Sequence, residues 1–331
     1  MSGLALDPTT PPQKVTASKR VGNFLKLGRD YGIAAFAVIL FVVLSLTTNN
    51  FLSGQNLRNV LDQSVAVGII ACAGTVLIIA GGFDLSAGAI FAVAAIVGAK
   101  ATNAAGPEVG IIAGLAAGAG LGLINGLLCT VGRVNHFVGT LATSFAFAGL
   151  ATILSGASLI IIADASFVDL AGTKLFGIKS STAIFIVFAV ACAVLLNRTI
   201  VGRHIFASGG NVRAARLSGV SVNRIVAFGY VLSGTAAGLA GLIVVSRTLS
   251  VNDSVGGSIV FTAIAAILVG GNSVLGGEGA IWRTLVGVFV LAMISNGFNL
   301  NGIDPLYEQV ITGGIIVFAV GADAWARRSR T

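Results

Sequence analysis

The chain is poor in charge. Asp, Glu, Lys and Arg make up only 10% of its 331 residues, where a soluble domain carries roughly a quarter. Histidine is almost missing: His136 and His204 are the only two, and no HExxH motif occurs, which excludes a zinc protease helix of that type. No Gly-Lys dipeptide occurs either, so there is no G-x-x-x-x-G-K-[ST] phosphate loop. A GxSxG nucleophile elbow is also absent. The three cysteines, Cys72, Cys129 and Cys192, each fall inside an apolar run and form no CxxC pair. Such cysteines act as small buried hydrophobes. These absences point away from an enzyme: the chain is expected to hold no catalytic residue, no metal and no cofactor.

What is abundant is apolar surface. Hydrophobic residues make up 56% of the chain, and the mean hydropathy is +0.97. Several apolar runs reach the roughly 18 residues that cross a ~30 Å hydrocarbon core. The runs are continuous rather than alternating, which excludes a β-barrel. The fold class expected is all-α, a polytopic membrane protein with about ten transmembrane helices. The ten segments are Tyr31–Leu46, Val65–Ala80, Ala89–Ala99, Val109–Val131, Phe137–Leu154, Thr182–Leu196, Ile225–Val245, Ile259–Val269, Leu285–Phe298 and Leu306–Ala322. Phe51–Asp62 and Ser155–Ser181 read as polar loops. Among the 45 glycines, Gly114, Gly118 and Gly122 recur at the spacing that lets helix backbones approach closely in lipid.

Residues 1–30 read as a disordered basic tail, 31–322 as the transmembrane domain and 323–331 as a second basic tail. The first apolar run is long and lacks a small-residue cleavage site, so it is not a cleavable signal peptide. The net charge of +8 resides mainly in the two tails and in residues 198–224, while the loops on the opposite side are neutral or acidic. That asymmetry predicts both termini in the cytoplasm. It also explains the basic balance without a nucleic-acid partner.

Two Gly-rich breaks resemble one another: IAGGFDLSAGAI at 79–90 and LVGGNSVLGGEGAI at 268–281. Ala89–Ala99 and Ile259–Val269, which adjoin them, are too short to span alone: they either borrow flanking residues or are half-helices. Broken helices in corresponding positions point to a transport pathway. The pathway candidates are Asp84, Ser86, Asn135, His136, Phe137, Asn272, Asn296 and Asn299. Asp84 is the only acid between Val65 and Ala99. It either serves the pathway or caps the helix that starts at LSAG. Asn135, His136 and Phe137 offer hydrogen bonds and a flat ring to a polyhydroxyl solute; as plainly, Asn135 is a helix cap and His136 an interfacial residue. Asn296 and Asn299 also suit ordinary interhelical hydrogen bonds. Trp282 and Trp325 read as interfacial anchors.

The longest polar run after the N-terminal tail is TIVGRHIFASGGNVRAARLSGVSVNR, Thr199–Arg224. It carries Arg203, His204, Arg213, Arg216 and Arg224, follows Arg198, and contains no acid. Asn211 is a candidate N-cap, and Gly219 a candidate left-handed terminator of one short helix. Its small Ala214/Ala215 face would admit another protein closely. The plainer alternative is an amphipathic helix lying in the membrane interface.

These residues resemble the ribose-type ABC transporter permeases. GRHIFASGGNVRAARLSG is similar to that family's G-R-x-I-x-A-x-G-G-N-x-x-A-A-x-L-S-G, and GGFDLSAG to its G-G-x-D-L-S-x-G. AIAAILVGGNSVLGGEG and NGFNLNG resemble two further family motifs in the same order, and the likeness runs from about Asn50 to Val320. The resemblance implies a permease in a bacterial inner membrane. A second permease subunit, two cytoplasmic ABC ATPase domains and a periplasmic binding protein would complete an importer for a sugar or related polyol. It implies that Arg203, Gly210, Asn211, Arg213, Ala214, Ala215, Ser218 and Gly219 couple the chain to the ATPase. One departure stands out. Many members carry Glu-x-Asp ahead of AIAA, where this chain has Val260 and Thr262. Other cargo, such as an autoinducer sugar, a nucleoside or a branched-chain amino acid, stays open. A secondary transporter would need paired intramembrane charges, and only Asp84 is present.

Overall fold

A computed structural model describes residues 32–304 except 176, together with six positions between 307 and 317. The two basic tails, Trp325 and most of Leu306–Ala322 lie outside the described residues. The chain is helical almost throughout. In order, the helices are α1 (Gly32–Thr47), α2 (Gly54–Ile79), α3 (Ala87–Ala105), α4 (Pro107–Thr130), α5 (His136–Ser155) and α6 (Asp169–Gly172). Then follow α7 (Ser180–Arg198), α8 (Ile200–Gly210), α9 (Val212–Leu217), α10 (Val222–Thr248), α11 (Ile259–Val269) and α12 (Ile281–Leu300). Among the described residues, seven of these (α2, α3, α4, α5, α7, α10 and α12) are long and apolar enough to cross a membrane, and α1 and α11 are shorter apolar helices.

Local chemistry sets several boundaries away from where hydropathy alone places them. Helix α2 starts at Gly54, inside the expected Phe51–Asp62 loop, because the Ser53 hydroxyl accepts from the Asn56 N–H at 3.2 Å. Helix α3 is no half-helix. It has 19 residues and continues past Ala99 through Lys100 and Asn103. The Asn103 amide closes its far end by donating to Ile161 O at 2.8 Å and accepting from Ala163 N at 3.0 Å. Only Ile259–Val269 remains short, at 11 residues. Helix α8 was not expected at all. Its β-branched and Gly-rich sequence is a poor helix former, yet Thr199 caps it by accepting from Gly202 N at 3.0 Å.

The expected loop at 155–181 is partly ordered. Strand β1 (Ile160–Ile161) pairs antiparallel with β4 (Ser250–Val251), with Ile160 opposite Val251. Strands β2 (Lys174–Leu175) and β3 (Ile178–Lys179) form a second small hairpin. Hydrogen bonds from the Ser166 hydroxyl and N–H hold the exposed Asp164 carboxyl below its usual range. Lys179 pairs with Asp62 at 2.5 Å, and Arg247 donates to Asp62 O at 2.9 Å. These contacts tie the loops at the α5–α7 end onto the start of α2.

Helix α10 is the centre of the fold and packs against α2, α3 and α4. In lipid no hydrophobic force drives helices together, so backbone proximity has to hold them. The α4–α10 seam is built that way. A methyl on Gly234 would meet the backbone of Gly118 and Gly122, and one on Gly238 would sit 3.1 Å from Gly114 O. The glycine spacing seen in the sequence is this seam. Facing outward instead are large apolar side chains such as Phe145 and Ile153, 75% and 78% exposed, as lipid-facing positions require.

Gly234→Ala should force α4 and α10 apart and destabilise the protein by about 1–3 kcal/mol, read as a lower Tm in detergent. Gly120→Ala, on the open side of α4, should be neutral or slightly stabilising. Equal effects at both sites would show that the seam is not closely packed.

Candidate functional site

The two breaks close their helices identically. After α2, Gly81 takes φ +93, its N–H reaches Ile78 O at 2.9 Å, and Gly82 N reaches Leu77 O at 3.0 Å. After α11, Gly271 takes φ +80, its N–H reaches Leu268 O at 2.8 Å, and Asn272 N reaches Ile267 O at 3.2 Å. Both are Schellman closures with glycine in the left-handed position. The equivalence is Gly81 with Gly271, one residue out of step with the GG-to-GG match that the sequence suggests.

Beyond these closures the breaks diverge. The first carries Asp84 into a buried polar cluster. Its Oδ1 accepts from Ser86 N at 2.9 Å and from Ser86 Oγ at 2.6 Å, and its Oδ2 accepts from Ser233 Oγ of α10 at 2.7 Å. Asp84 is therefore not the helix cap: the N-cap position of α3 is Ser86, and Asp84 forms a turn two residues ahead of it. Asn125 of α4 donates to Ser86 Oγ at 2.6 Å. Tyr230 OH donates to Phe83 O at 3.0 Å and lies 2.9 Å from His136 Nδ1. Leu85 N donates to the Thr140 hydroxyl at 3.1 Å. Thus α4, α5 and α10 each send a side chain to one short segment. The cavity beside Asp84 and Ser233 has about 20 Å³, room for a single water.

Asn135 is the α5 cap, accepting from Phe137 N at 3.0 Å and Val138 N at 3.3 Å. Phe137 lies on the cluster's rim, its ring 6.3 Å from that of Phe83. Asn272 belongs to the second break. It donates to Ile267 O and to Thr284 Oγ1, both at 3.0 Å, and accepts from Ala280 N at 2.7 Å. Thr284 in turn meets Thr75 of α2 at 2.6 Å. Asn296 forms a reciprocal amide pair with Asn56 of α2, at 2.9 and 2.8 Å. Asn299 is exposed and bonds only its own helix, to Ser295 O at 3.0 Å. The eight candidates thus fall into separate groups: Asp84 and Ser86 meet, His136 reaches the same break through Tyr230 with Asn135 and Phe137 beside it, while the three asparagines on or near α12 stand apart.

The basic segment is two helices. Asn211 ends α8 and caps α9, accepting from Ala214 N at 2.9 Å. Gly219, at φ +81, completes a Schellman closure with Gly219 N to Arg216 O and Val220 N to Ala215 O, both 3.0 Å. Arg203, Gly210, Asn211, Arg213, Ala214, Ser218 and Gly219 are exposed. Ala215 is not: it is 4% exposed. Neighbouring residues on a helix point about 100° apart, so Ala214 and Ala215 do not share the open face expected of them. The exposed face adds Val212 and Leu217, the latter 84% exposed.

The second break links this segment to the first. Residues 273–280 form a tongue whose Gly277 N–H donates to Ile79 O, the end of α2, at 2.9 Å. A methyl on Gly276 would sit 3.2 Å from Gly81 Cα and 3.4 Å from Gly209 Cα, and one on Gly277 only 2.6 Å from Gly210 Cα. Backbones of three segments therefore touch at one junction. The repeated Gly-Gly pairs at 209–210 and 276–277 were the sequence signal for it. Thr75, Asn125, Ser233 and Tyr230 gave no comparable signal, because nothing in a local pattern separates a hydroxyl facing a buried acid from one facing its own helix.

Ser233→Ala removes the one donor to Asp84 Oδ2 among the described residues and should cost about 1–3 kcal/mol, the penalty for leaving a buried polar group without its partner. Thr235→Ala, whose hydroxyl only bonds Val231 O on its own helix, should stay within about 0.5 kcal/mol. Thermal unfolding in detergent distinguishes the two.

Comparison with known proteins places this architecture. Residues 56–320 match the family model described as branched-chain amino acid transport system / permease component. The ribose import permease protein of Bacillus subtilis is 37% identical over 321 residues, covering 94% of this chain and 97% of that protein. The ribose import permease protein of Escherichia coli K12 is 34% identical over 86% of this chain and 91% of its own length. The L-arabinose ABC transporter permease protein of Azospirillum brasilense is 32% identical over 97% and 95%. No solved structure matches. With its seven candidate spans, the chain is a multi-pass protein of the bacterial inner membrane, and it belongs to the branched-chain amino acid transport system / permease component family.

Proposed function

We infer that the chain is the membrane-spanning subunit of an ABC importer for a sugar or related polyol. The relatives named for ribose and arabinose import support this cargo class. In this reading a second permease subunit completes the pore, two ATPase domains dock on the cytoplasmic side, and a periplasmic binding protein delivers the solute. Both termini lie in the cytoplasm, and with α1, α11 and the Leu306–Ala322 segment the spans number about ten.

The single observation that carries the coupling assignment is α9. A six-residue helix closed at both ends by Asn211 and Gly219 holds Arg213, Arg216 and Leu217 outward in fixed positions. A rigid apolar knob ringed by cations suits a groove with an acidic rim on a partner. Motion of α9 reaches the membrane through Asn211 and the Gly209–Gly277 junction. Asp84, Ser86, Asn135, Asn272 and Asn296 are committed to hydrogen bonds within the protein: we assign Asp84, Ser86 and Asn272 to holding the breaks, Asn135 to capping α5 and Asn296 to tying α12 to α2. His136 and Phe137 flank the first break, and Asn299 stays with the pathway.

The test is assembly. Arg213→Glu combined with Leu217→Asp should lower co-purification of the ATPase at least tenfold and abolish ATP-driven uptake. The Tm of the permease alone should stay unchanged, since both side chains are exposed. Normal ATPase binding by this double variant would remove the coupling assignment. Branched-chain amino acid cargo, which the family description raises, is tested by uptake of leucine against D-ribose and L-arabinose in the assembled system.

A further inference from the structure

A cleft of about 410 Å³ lies between α2, α11 and α12. It is separate from the Asp84 cluster, and its lining has a distinct chemistry. Six polar residues line it: Gln63 and Ser64 of α2, Ser258 and Thr262 at the start of α11, and Ser295 and Asn299 of α12. None is ionisable, and among the described residues no Lys, Arg, His, Asp or Glu lines the cleft. The remaining walls are aliphatic, including Val67 and Leu291.

We propose that this cleft is a binding subsite for a neutral polyhydroxyl solute of monosaccharide size. The proposal rests on the sugar-importer reading and names the place on this chain that would meet the sugar. Volume is the first ground: small-molecule sites commonly run from about 300 to 1,000 Å³, whereas the cavity beside Asp84 holds about 20 Å³. The second ground is hydrogen-bonding capacity left over. Asn299 uses Nδ2 on Ser295 O, which leaves its Oδ1 open. Thr262 donates to Ser258 O at 3.3 Å, leaving its hydroxyl oxygen free to accept, while Ser64 is buried and bonded to Val60 O at 2.7 Å. The Gln63 carboxamide is exposed and has no hydrogen bond within the described residues.

The third ground is charge. A zwitterionic amino acid or a phosphorylated sugar would leave its charges unpaired against this lining, and unpaired charge at membrane depth is costly. A neutral sugar has no such charges. Its hydroxyls meet the serines, Thr262 and the carboxamides, and its C–H face meets Val67 and Leu291. Thr262 occupies a position where the resembling family often carries an acid, so the uncharged lining is a property of this sequence.

The experiment uses the assembled importer in proteoliposomes, with radiolabelled D-ribose and L-arabinose. Thr262→Trp fills the cleft and should lower uptake at least tenfold while ATPase co-purification stays normal. Gln63→Ala with Asn299→Ala should lower it by a smaller factor, roughly three- to tenfold, by removing two hydrogen-bonding groups. Uptake within twofold of wild type in an assembled Thr262→Trp protein overturns the cleft. Absence of uptake of either sugar by the wild-type assembly overturns the sugar reading instead, so the two failures are distinguishable. Should Thr262→Trp not fold, Ser295→Cys decides, since the native cysteines are buried. Modification by a bulky membrane-impermeant thiol reagent is expected to block uptake and to be slowed by ribose-loaded binding protein. No modification, or full uptake after modification, overturns the proposal.

Discussion

The fold turns on a contact made without side chains. The Gly277 N–H meets Ile79 O at 2.9 Å, and around that bond Gly81, Gly209, Gly210 and Gly276 bring three backbones together. Each strand of the junction belongs to a different part of the molecule. Ile79 ends α2 and opens the first break, Gly276 and Gly277 are the tip of the second, and Gly209 ends the helix that leads into α9. A side chain at these points would separate the segments and introduce rotamer freedom between them. Bare backbone transmits displacement with little slack, because interiors packed at this distance are bistable rather than compliant.

From that junction the two breaks are stabilised by different means. The first is surrounded: Ser233, Tyr230, Asn125 and Thr140 reach it from α10, α4 and α5. The second is held through Asn272, which spans Ile267, Ala280 and Thr284, and touches α2 through Thr75 and through the Gly277 N–H on Ile79 O. Non-helical backbone at membrane depth is tolerated only where its polar groups find partners, and side chains supply such partners at each break. The first is thereby bound to the α4–α10 seam, the most closely packed part of the protein.

Much of this was legible in the sequence. Hydropathy located the long helices, the glycine spacing located the α4–α10 seam, and Asn211 and Gly219 marked both ends of α9, because caps and terminators act over three or four residues. What failed did so for reasons of range. Hydropathy left open whether Ala89–Ala99 borrows flanking residues or is a half-helix; it is part of a full helix whose far end Asn103 closes on a loop some 60 residues away, and hydropathy counts only neighbours. Local pattern could not decide between the pathway and cap readings of Asp84 for the same reason: its partner Ser233 is 149 residues distant. Helix α8 was missed because its composition disfavours helix and tertiary contact overrides it. The polar cleft was invisible because its lining comes from three helices spread over most of the chain.

The distance between Asp84 and Ser233 also has a consequence in time. Chains are synthesised at about 5–20 residues per second, so the 149 residues that separate them correspond to roughly 7 to 30 seconds of translation. Throughout that interval the α2–α3 hairpin holds a carboxylate for which only Ser86, its own neighbour, is at hand. A lone acid is poorly tolerated in hydrocarbon, so the hairpin gains by staying beside the insertion machinery, or by resting near the headgroups, until α10 emerges. The importer subunit is thus built in an enforced order: its first break is set in place only when the helix that follows the coupling segment arrives to hold it.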